Sequence, residues 1–518
     1  MTLLDTIIFS LYGLLIIFVG NYLSRSKGEK RDSQAYFFAG KTLPWWLVGT
    51  SIIAANISAE QFIGMSGSGY AIGLGIATYE WLAAIFILLV AKFFLPVFVK
   101  KGIYTMPQFL ALRYSDSLKS VLAFFWLALF IFVNLTSIVY LGALALKTIF
   151  GIRLIYGVFG LAIFSLLYTI FNGLKAIAST DIIQVFFLMA GGILTTILSI
   201  NAVSDGEGFL EGCRMLYRQA PEKFHMILQK SSPGFEYLPG IRAIFGGIWI
   251  AGIYYFGANQ YIIQKALGSK NLREAQRGMV FAGFLKLLLP LVVVVPGIVA
   301  FVLHADIAKP DEAYPWLLST FIPSGIKGLV FAALIAAIVS SLSAIINSTS
   351  TIFTMDIYKV FIKKDASEDD MVRVGRISGI VAMFMAACIA PLLGTIDQAF
   401  QFIQEYTGMI SPGIVAIFIL GIFWKKTTSN AAFTGVILSI PISVALKFIF
   451  SEMPFLDQMV LAFFLTSLLI IIISLLEQKR VAPKYIQLER HWFRTGKVFN
   501  ILSLVILLIL LLLYSVFW

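Results

Sequence analysis

Charge is what this sequence has least of: only 13% of its 518 residues are Asp, Glu, Lys or Arg, too few to cover a water-soluble fold of this size. Cysteine is nearly absent. Cys213 stands in a polar stretch and Cys388 inside an apolar run, too unlike in environment to bridge, and no CxxC or zinc spacing exists. The three histidines, His225, His304 and His491, sit between apolar runs without HExxH or triad spacing, which argues against a hydrolytic or metal-dependent enzyme. No contiguous basic face with interleaved aromatics is left over either, so the formal charge of +12 does not point to nucleic acid. Transport is the class that remains.

What is abundant is apolar length. The chain is 59% hydrophobic, with a mean hydropathy of +0.91, and its apolar runs recur at about twenty residues, enough to cross a hydrocarbon core of roughly 30 Å. The expectation is an all-α membrane protein of about fourteen transmembrane helices, over 3–23, 43–68, 75–99, 119–148, 153–172, 179–202, 240–263, 276–303, 324–353, 374–395, 398–421, 430–449, 457–477 and 497–517. The first run carries Asp5 instead of a basic n-region and lacks a small-residue cleavage site, so it reads as a retained span and not as a signal peptide. Basic residues cluster in alternate loops, at 24–31, 99–119, 265–277, 359–376, 424–426 and 477–497, while 204–239 and 303–316 are acidic or mixed. The positive-inside rule places the first set in the cytoplasm and both termini outside. Compact loops and the lack of a targeting extension suggest a bacterial inner membrane.

Two spans are interrupted in a similar way, five spans apart. One contains SIIAANISAEQFIGMSGSG and the other GGIWIAGIYYFGANQY; paired breaks of this kind mark inverted-repeat transporters with a site at the bilayer midplane, because broken backbone in lipid is tolerated only where it lines a cavity. The organisation expected is a peripheral helix and linker (1–42), a first repeat (43–203), an extracellular loop (204–239), a second repeat (240–424) and peripheral C-terminal helices (425–518). Ser340 and Ser341 fall in the middle of the third span of the second repeat. Small polar residues often serve only close helix packing. Beside a broken helix, however, two hydroxyls plus the carbonyls of Ala54 and Ile57 make a cage for a small hard cation such as sodium, with no carboxylate needed.

The runs AANISAEQFIGMSGSGYAIGLGIATYEW (54–81), YYFGANQYIIQKAL (254–267), FAALIAAIVSSLSAIINSTSTIFTMDIYK (331–359) and QAFQFIQEYTGMISPGIVAIFILGIFWKKTTS (398–429) together resemble the sodium/solute symporter family, most of all its sodium/galactose and sodium/glucose branch. The resemblance spans nearly the whole chain and implies a LeuT-type 5+5 inverted-repeat core. It also implies a co-transported sodium ion held by the carbonyls of Ala54, Ile57 and Ala337 and the hydroxyls of Ser340 and Ser341. Asp181 matches an aspartate on the inner sodium path; by itself it also suits an ordinary helix N-terminal residue after Ser179 and Thr180. For the substrate the resemblance implies Gln61, Glu80, Tyr255, Lys286 and Gln404, with Tyr255 capping the pocket on its inner side and Tyr79 near it as a gate. Lys286 alone also suits a snorkelling side chain, and Glu80 beside Trp81 an interfacial one.

Ala83, Gly252 and Phe256 depart from the galactose pattern, which has serine, asparagine and tryptophan there. The departures put galactose itself in question, and a different hexose, an N-acetylated sugar or a cyclic polyol such as inositol each suits a pocket enlarged at these positions; they do not name which. The function expected is sodium-driven import of a sugar or polyol by alternating access, not enzymatic catalysis. The alternatives are a sodium symporter for an amino acid or organic anion, and a sodium-gated sugar sensor that does not transport.

Overall fold

The computed structural model describes residues 2–24, 39–169, 174–395, 398–477 and 484–518. In chain order its main helices are α1 (Leu3–Ser24), α2 (Trp45–Asn56), α3 (Ser66–Ala71), α4 (Leu74–Lys100), α5 (Asp116–Phe150), α6 (Leu154–Thr169), α7 (Leu174–Val203) and α8 (Ile241–Ala258). They continue as α9 (Gln260–Leu267), α10 (Leu272–Val302), α11 (Ile326–Ile362), α12 (Glu368–Thr395), α13 (Ala399–Phe423), α14 (Ser429–Ile449), α15 (Phe455–Glu477) and α16 (Lys497–Val516). Among the described residues eleven helices are long and apolar enough to cross a membrane: α4, α5, α8, α10 to α16, and α7 from Thr180 onward. Shorter apolar stretches lie in α1 and α6.

Position in the bundle follows burial. The most apolar stretch of α11 is 94% buried and that of α16 only 17%, so α11 runs through the centre and α16 faces the surroundings. Small residues allow the closest crossings. A Cβ on Gly297 of α10 would stand 2.0 Å from the Ser66 carbonyl oxygen, and one on Gly69 of α3 2.5 Å from that of Val294. Asp5, the acid of the first run, is buried and accepts hydrogen bonds from the backbone N–H groups of Gly325 (2.7 Å) and Gly328 (3.2 Å). A carboxylate there complements the positive end of α11, which is why α1 can carry a charge and still pack on α11.

Both interrupted segments are broken where the sequence places the flaws. After α2 the chain leaves helical geometry at Ile57 (φ −76°, ψ 94°) and re-enters through a wide π turn, Glu60–Met65. A second π turn, Tyr254–Ala258, ends α8, and Asn259 is extended (φ −86°, ψ 120°) before α9 begins. Such turns mark functional sites in helices. Not all basic residues assigned to cytoplasmic loops lie in loops. Lys265 is buried within α9, and Arg113, fully buried at the end of the helix Met106–Arg113, donates to the carbonyls of Gly421 (2.7 Å), Thr427 (3.1 Å), Trp424 (3.1 Å) and Lys484. In the loop expected outside, Lys223 donates to the last carbonyls of α3, Tyr70 (2.9 Å) and Ala71 (2.8 Å). Burial holds its pKa below the usual lysine value.

Candidate functional site

The first break creates unpaired backbone by a simple substitution of partners. The Ser58 N–H, which would bond the Ala54 carbonyl in an unbroken helix, donates instead to Oε1 of Gln61 (3.2 Å). Likewise the Gln61 N–H turns to the Ser58 carbonyl (3.2 Å) and releases that of Ile57. The freed Ala54 oxygen accepts the Ser341 hydroxyl at 3.1 Å. Ala337 lies one turn before Ser341 on α11, and Ser340 and Ser341 are both fully buried. Four oxygens of the expected cage, from Ala54, Ile57, Ser340 and Ser341, thus belong to two segments in direct contact.

Asp181 stands behind that contact. It lies inside α7 and not at its N-terminus, which removes the capping alternative. Its Oδ1 accepts from Ser340 and its Oδ2 from Ser51, both at 2.5 Å, and Lys265 Nζ lies 3.3 Å from Oδ2. The carboxylate and ammonium are 0% and 1% exposed, a pair that persists in a dry interior only because each charge has its partner and hydrogen bonds.

Next to the break, α2, the π turn, α4, α8, α10 and α13 surround a cavity of about 580 Å³. All five residues expected to bind substrate line it, as does Tyr79. Lys286 donates to Glu80 and to Asn56, and both members of the ion pair are almost wholly buried, so neither the snorkelling nor the interfacial alternative holds. Asn56 Nδ2 and the Tyr261 hydroxyl each donate to the Tyr255 hydroxyl at 2.8 Å, which ties the expected gate tyrosine to both broken segments. Tyr79 sets its ring edge-on to Phe400, centroids 5.4 Å apart, and its hydroxyl has no hydrogen-bond partner.

The expected enlargement fails at Gly252. A Cβ there would stand 1.9 Å from Cδ2 of Phe86: a ring from α4 occupies the space that a larger residue on α8 would take. Ala83, Phe86, Ile248, Ala251 and Phe256 give the cavity an apolar lining beside its polar residues. Asn56, Glu60 and Phe86 were not anticipated as lining, nor Lys265 as the partner of Asp181. The available signals were the polar interruption around Asn56 and Glu60, and a basic residue only five positions beyond the Asn-Gln break. Phe86 had none, being one of 46 phenylalanines.

Comparison with known proteins gives a consistent outcome. The chain is 50% identical, over an alignment 537 positions long, to a sodium/glucose cotransporter of Vibrio parahaemolyticus, covering 100% of this chain and 99% of that one. It is 32% identical to sodium/myo-inositol cotransporter 2 of Mus musculus, over 88% of this chain and 72% of that one. In structure it is similar to a substrate-bound, outward-open sodium-coupled sialic acid symporter, with a TM-score of 0.82 and 25% identity over 94% of this chain and all of the other. A more distant likeness to Mhp1, a nucleobase-cation-symport-1 transporter, at a TM-score of 0.58 and 13% identity over 87% and 96%, concerns the fold alone. The family model that matches residues 36–439 adds to these a definite membership: this integral membrane chain belongs to the sodium:solute symporter family.

Proposed function

We propose that the protein imports a neutral sugar or cyclic polyol, coupled to the inward movement of sodium, by alternating access. The observation that carries this is the satisfied Lys286–Glu80–Asn56 cluster inside a cavity that adjoins the Ser341–Ala54 junction. A cargo rich in hydroxyls meets donors and acceptors from Gln61, Glu80, Tyr255, Lys286 and Gln404. Its C–H side meets the aromatic and aliphatic lining. An acidic cargo would need an uncommitted cation, and Lys286 already serves Glu80 and Asn56; the names of the glucose and myo-inositol relatives favour the neutral class as well. With Phe86 filling the space at Gly252, the preferred cargo is one that presents fewer hydroxyls to that side.

Sodium sits between the carbonyls of Ala54, Ile57 and Ala337 and the hydroxyls of Ser340 and Ser341, and leaves past Asp181. By holding the break in α2 against α11 it favours the state in which the cavity is formed, and cargo binding then allows the inner gate at Tyr255 to open. One sodium ion moving inward supplies about 2.3 kcal/mol per 100 mV and about 1.4 kcal/mol per tenfold concentration difference. Together these sustain a cargo gradient of about a few hundredfold. The architecture belonging to this function is fourteen spans with a 5+5 repeat over 43–203 and 240–424, both termini outside, in a bacterial plasma membrane.

Uptake of labelled galactose, glucose, N-acetylglucosamine, myo-inositol and proline into proteoliposomes tests it, with an inward sodium gradient set against potassium. Sodium-driven accumulation of a sugar or polyol, abolished by Ser341→Ala, is the expected result. Accumulation of proline alone, or cargo binding without accumulation, overturns the proposal.

A further inference from the structure

A second cavity, of about 1070 Å³, lies away from the cargo site among α1, α5, α6, α7 and α11. Its lining is aliphatic and aromatic, and no Asp, Glu, Lys, Arg or His is among the described residues that form it. Two polar groups face an unusual situation there. Gln184 is fully buried, and the one group its amide meets is the neighbouring Tyr168 hydroxyl, which Thr180 also engages, so at least one of its two functions lacks a partner. The Tyr12 hydroxyl is likewise buried and unpartnered. A buried polar group short of partners has given up its hydrogen bonds to water without replacement, a loss that a bound group makes good. The space is open at its glycines: a Cβ added to Gly13 of α1 or to Gly160 of α6 would meet nothing within 4 Å. The outer face of α1 exposes Leu11, Leu14, Leu15 and Phe18, so this cavity borders on lipid.

We propose that this cavity binds a neutral, single-headed amphiphile of the bilayer, its hydroxyl or amide group on Gln184 and Tyr12 and its chain along α1 and α11. A buried amide and phenol with open hydrogen-bonding capacity call for a head group that donates or accepts, and the lack of a cation among the described lining residues disfavours phosphate or carboxylate. The site backs directly onto the proposed sodium cage. Ala336 and Val339 of its wall alternate on α11 with Ala337 and Ser340, and Gln184 lies one turn from Asp181, which accepts the Ser340 hydroxyl. An occupant that fits the space seen here favours the conformer in which the cage residues are assembled, and so tightens sodium binding. That coupling rests on the sodium reading of the cage; occupancy of the cavity does not.

The test uses full-length protein in phosphatidylcholine proteoliposomes, with a diazirine-bearing long-chain alcohol as probe. Photolabelling is expected on α1, α6 or α11 residues that line the cavity, competed by 1-dodecanol, lost in Gly13→Leu with Gly160→Leu, and weakened in Gln184→Leu. Sodium-induced thermal stabilisation should reach half-saturation at a sodium concentration about fivefold lower when 1-dodecanol is present, an effect absent from the double-leucine variant. Label spread evenly over lipid-facing residues overturns the site. Equal labelling by a diazirine phosphatidylcholine that 1-dodecanol does not displace overturns the single-headed occupant, because an acyl chain of the bulk lipid then fills the space. Undiminished competition in Gln184→Leu overturns the role of the amide. Labelling as expected with no change in sodium dependence overturns the coupling alone.

Discussion

Lys286 and Glu80 are each nearly inaccessible to solvent, and a charge in that position is tolerated only with its partner. Removing one member leaves the other buried and uncompensated, which costs about 3–5 kcal/mol, whereas replacing both with uncharged groups of similar volume is close to neutral. Lys286→Met is therefore expected to lower the unfolding temperature in detergent sharply. Adding Glu80→Gln should restore most of that loss without restoring cargo binding, measured by equilibrium binding of the transported cargo. A purely structural pair would recover both properties together. Phe86 and Gly252 give a second prediction at this scale. The ring lies where a Cβ would go, and overpacking of this kind typically costs about 1–3 kcal/mol. Gly252→Ala should destabilise the protein and raise the cargo KM, and Phe86→Ala in the same chain should relieve the destabilisation, as a double-mutant cycle would reveal.

Among the elements, the two interrupted segments were the most legible in the sequence, because Asn, Ser, Glu, Gln and Gly cannot sit in a lipid-facing apolar helix without a reason. Two cations were less legible, since they lie in helices and not in loops. Lys265 and Arg113 lie in stretches dense with other basic residues, and the positive-inside rule assigns such stretches to the cytoplasm as a group; it has no means of singling out the residue whose side chain turns inward. Arg113 shows the physical cause. A helix that ends inside the protein leaves carbonyls without donors, and the planar guanidinium supplies several at once. Here it serves the carbonyls of Gly421 and Trp424 at the end of α13 together with those of Thr427 and Lys484. Arg113→Met is expected to cost about 3 kcal/mol, the scale of charge-assisted hydrogen bonds lost without replacement. Hydrogen exchange should report the loss first as loosening of the C-terminal turn of α13, with the cargo cavity unaffected.

For the molecule as a whole, the burial gradient from α11 to α16 puts the hydroxyl-bearing helix at the centre, where the proposed sodium and cargo sites share the break after α2. Linkage then requires reciprocity: the factor by which saturating cargo lowers the sodium dissociation constant equals that by which sodium lowers the cargo's. Calorimetric titrations in both orders should give one factor, and two unequal factors would refute equilibrium coupling through a common conformer. The resemblance of whole runs named in advance the residues that come together here. The cavity behind α11 was not legible, since a void leaves no trace in hydrophobic periodicity. The Lys265–Asp181 pair has an electrical meaning as well. With the aspartate paired to a tethered ammonium, the proposed sodium reading gives the region beside the cage no net charge when empty and one positive charge when loaded. On that reading membrane voltage is expected to act on the carrier that travels inward loaded, with the empty return largely indifferent to it.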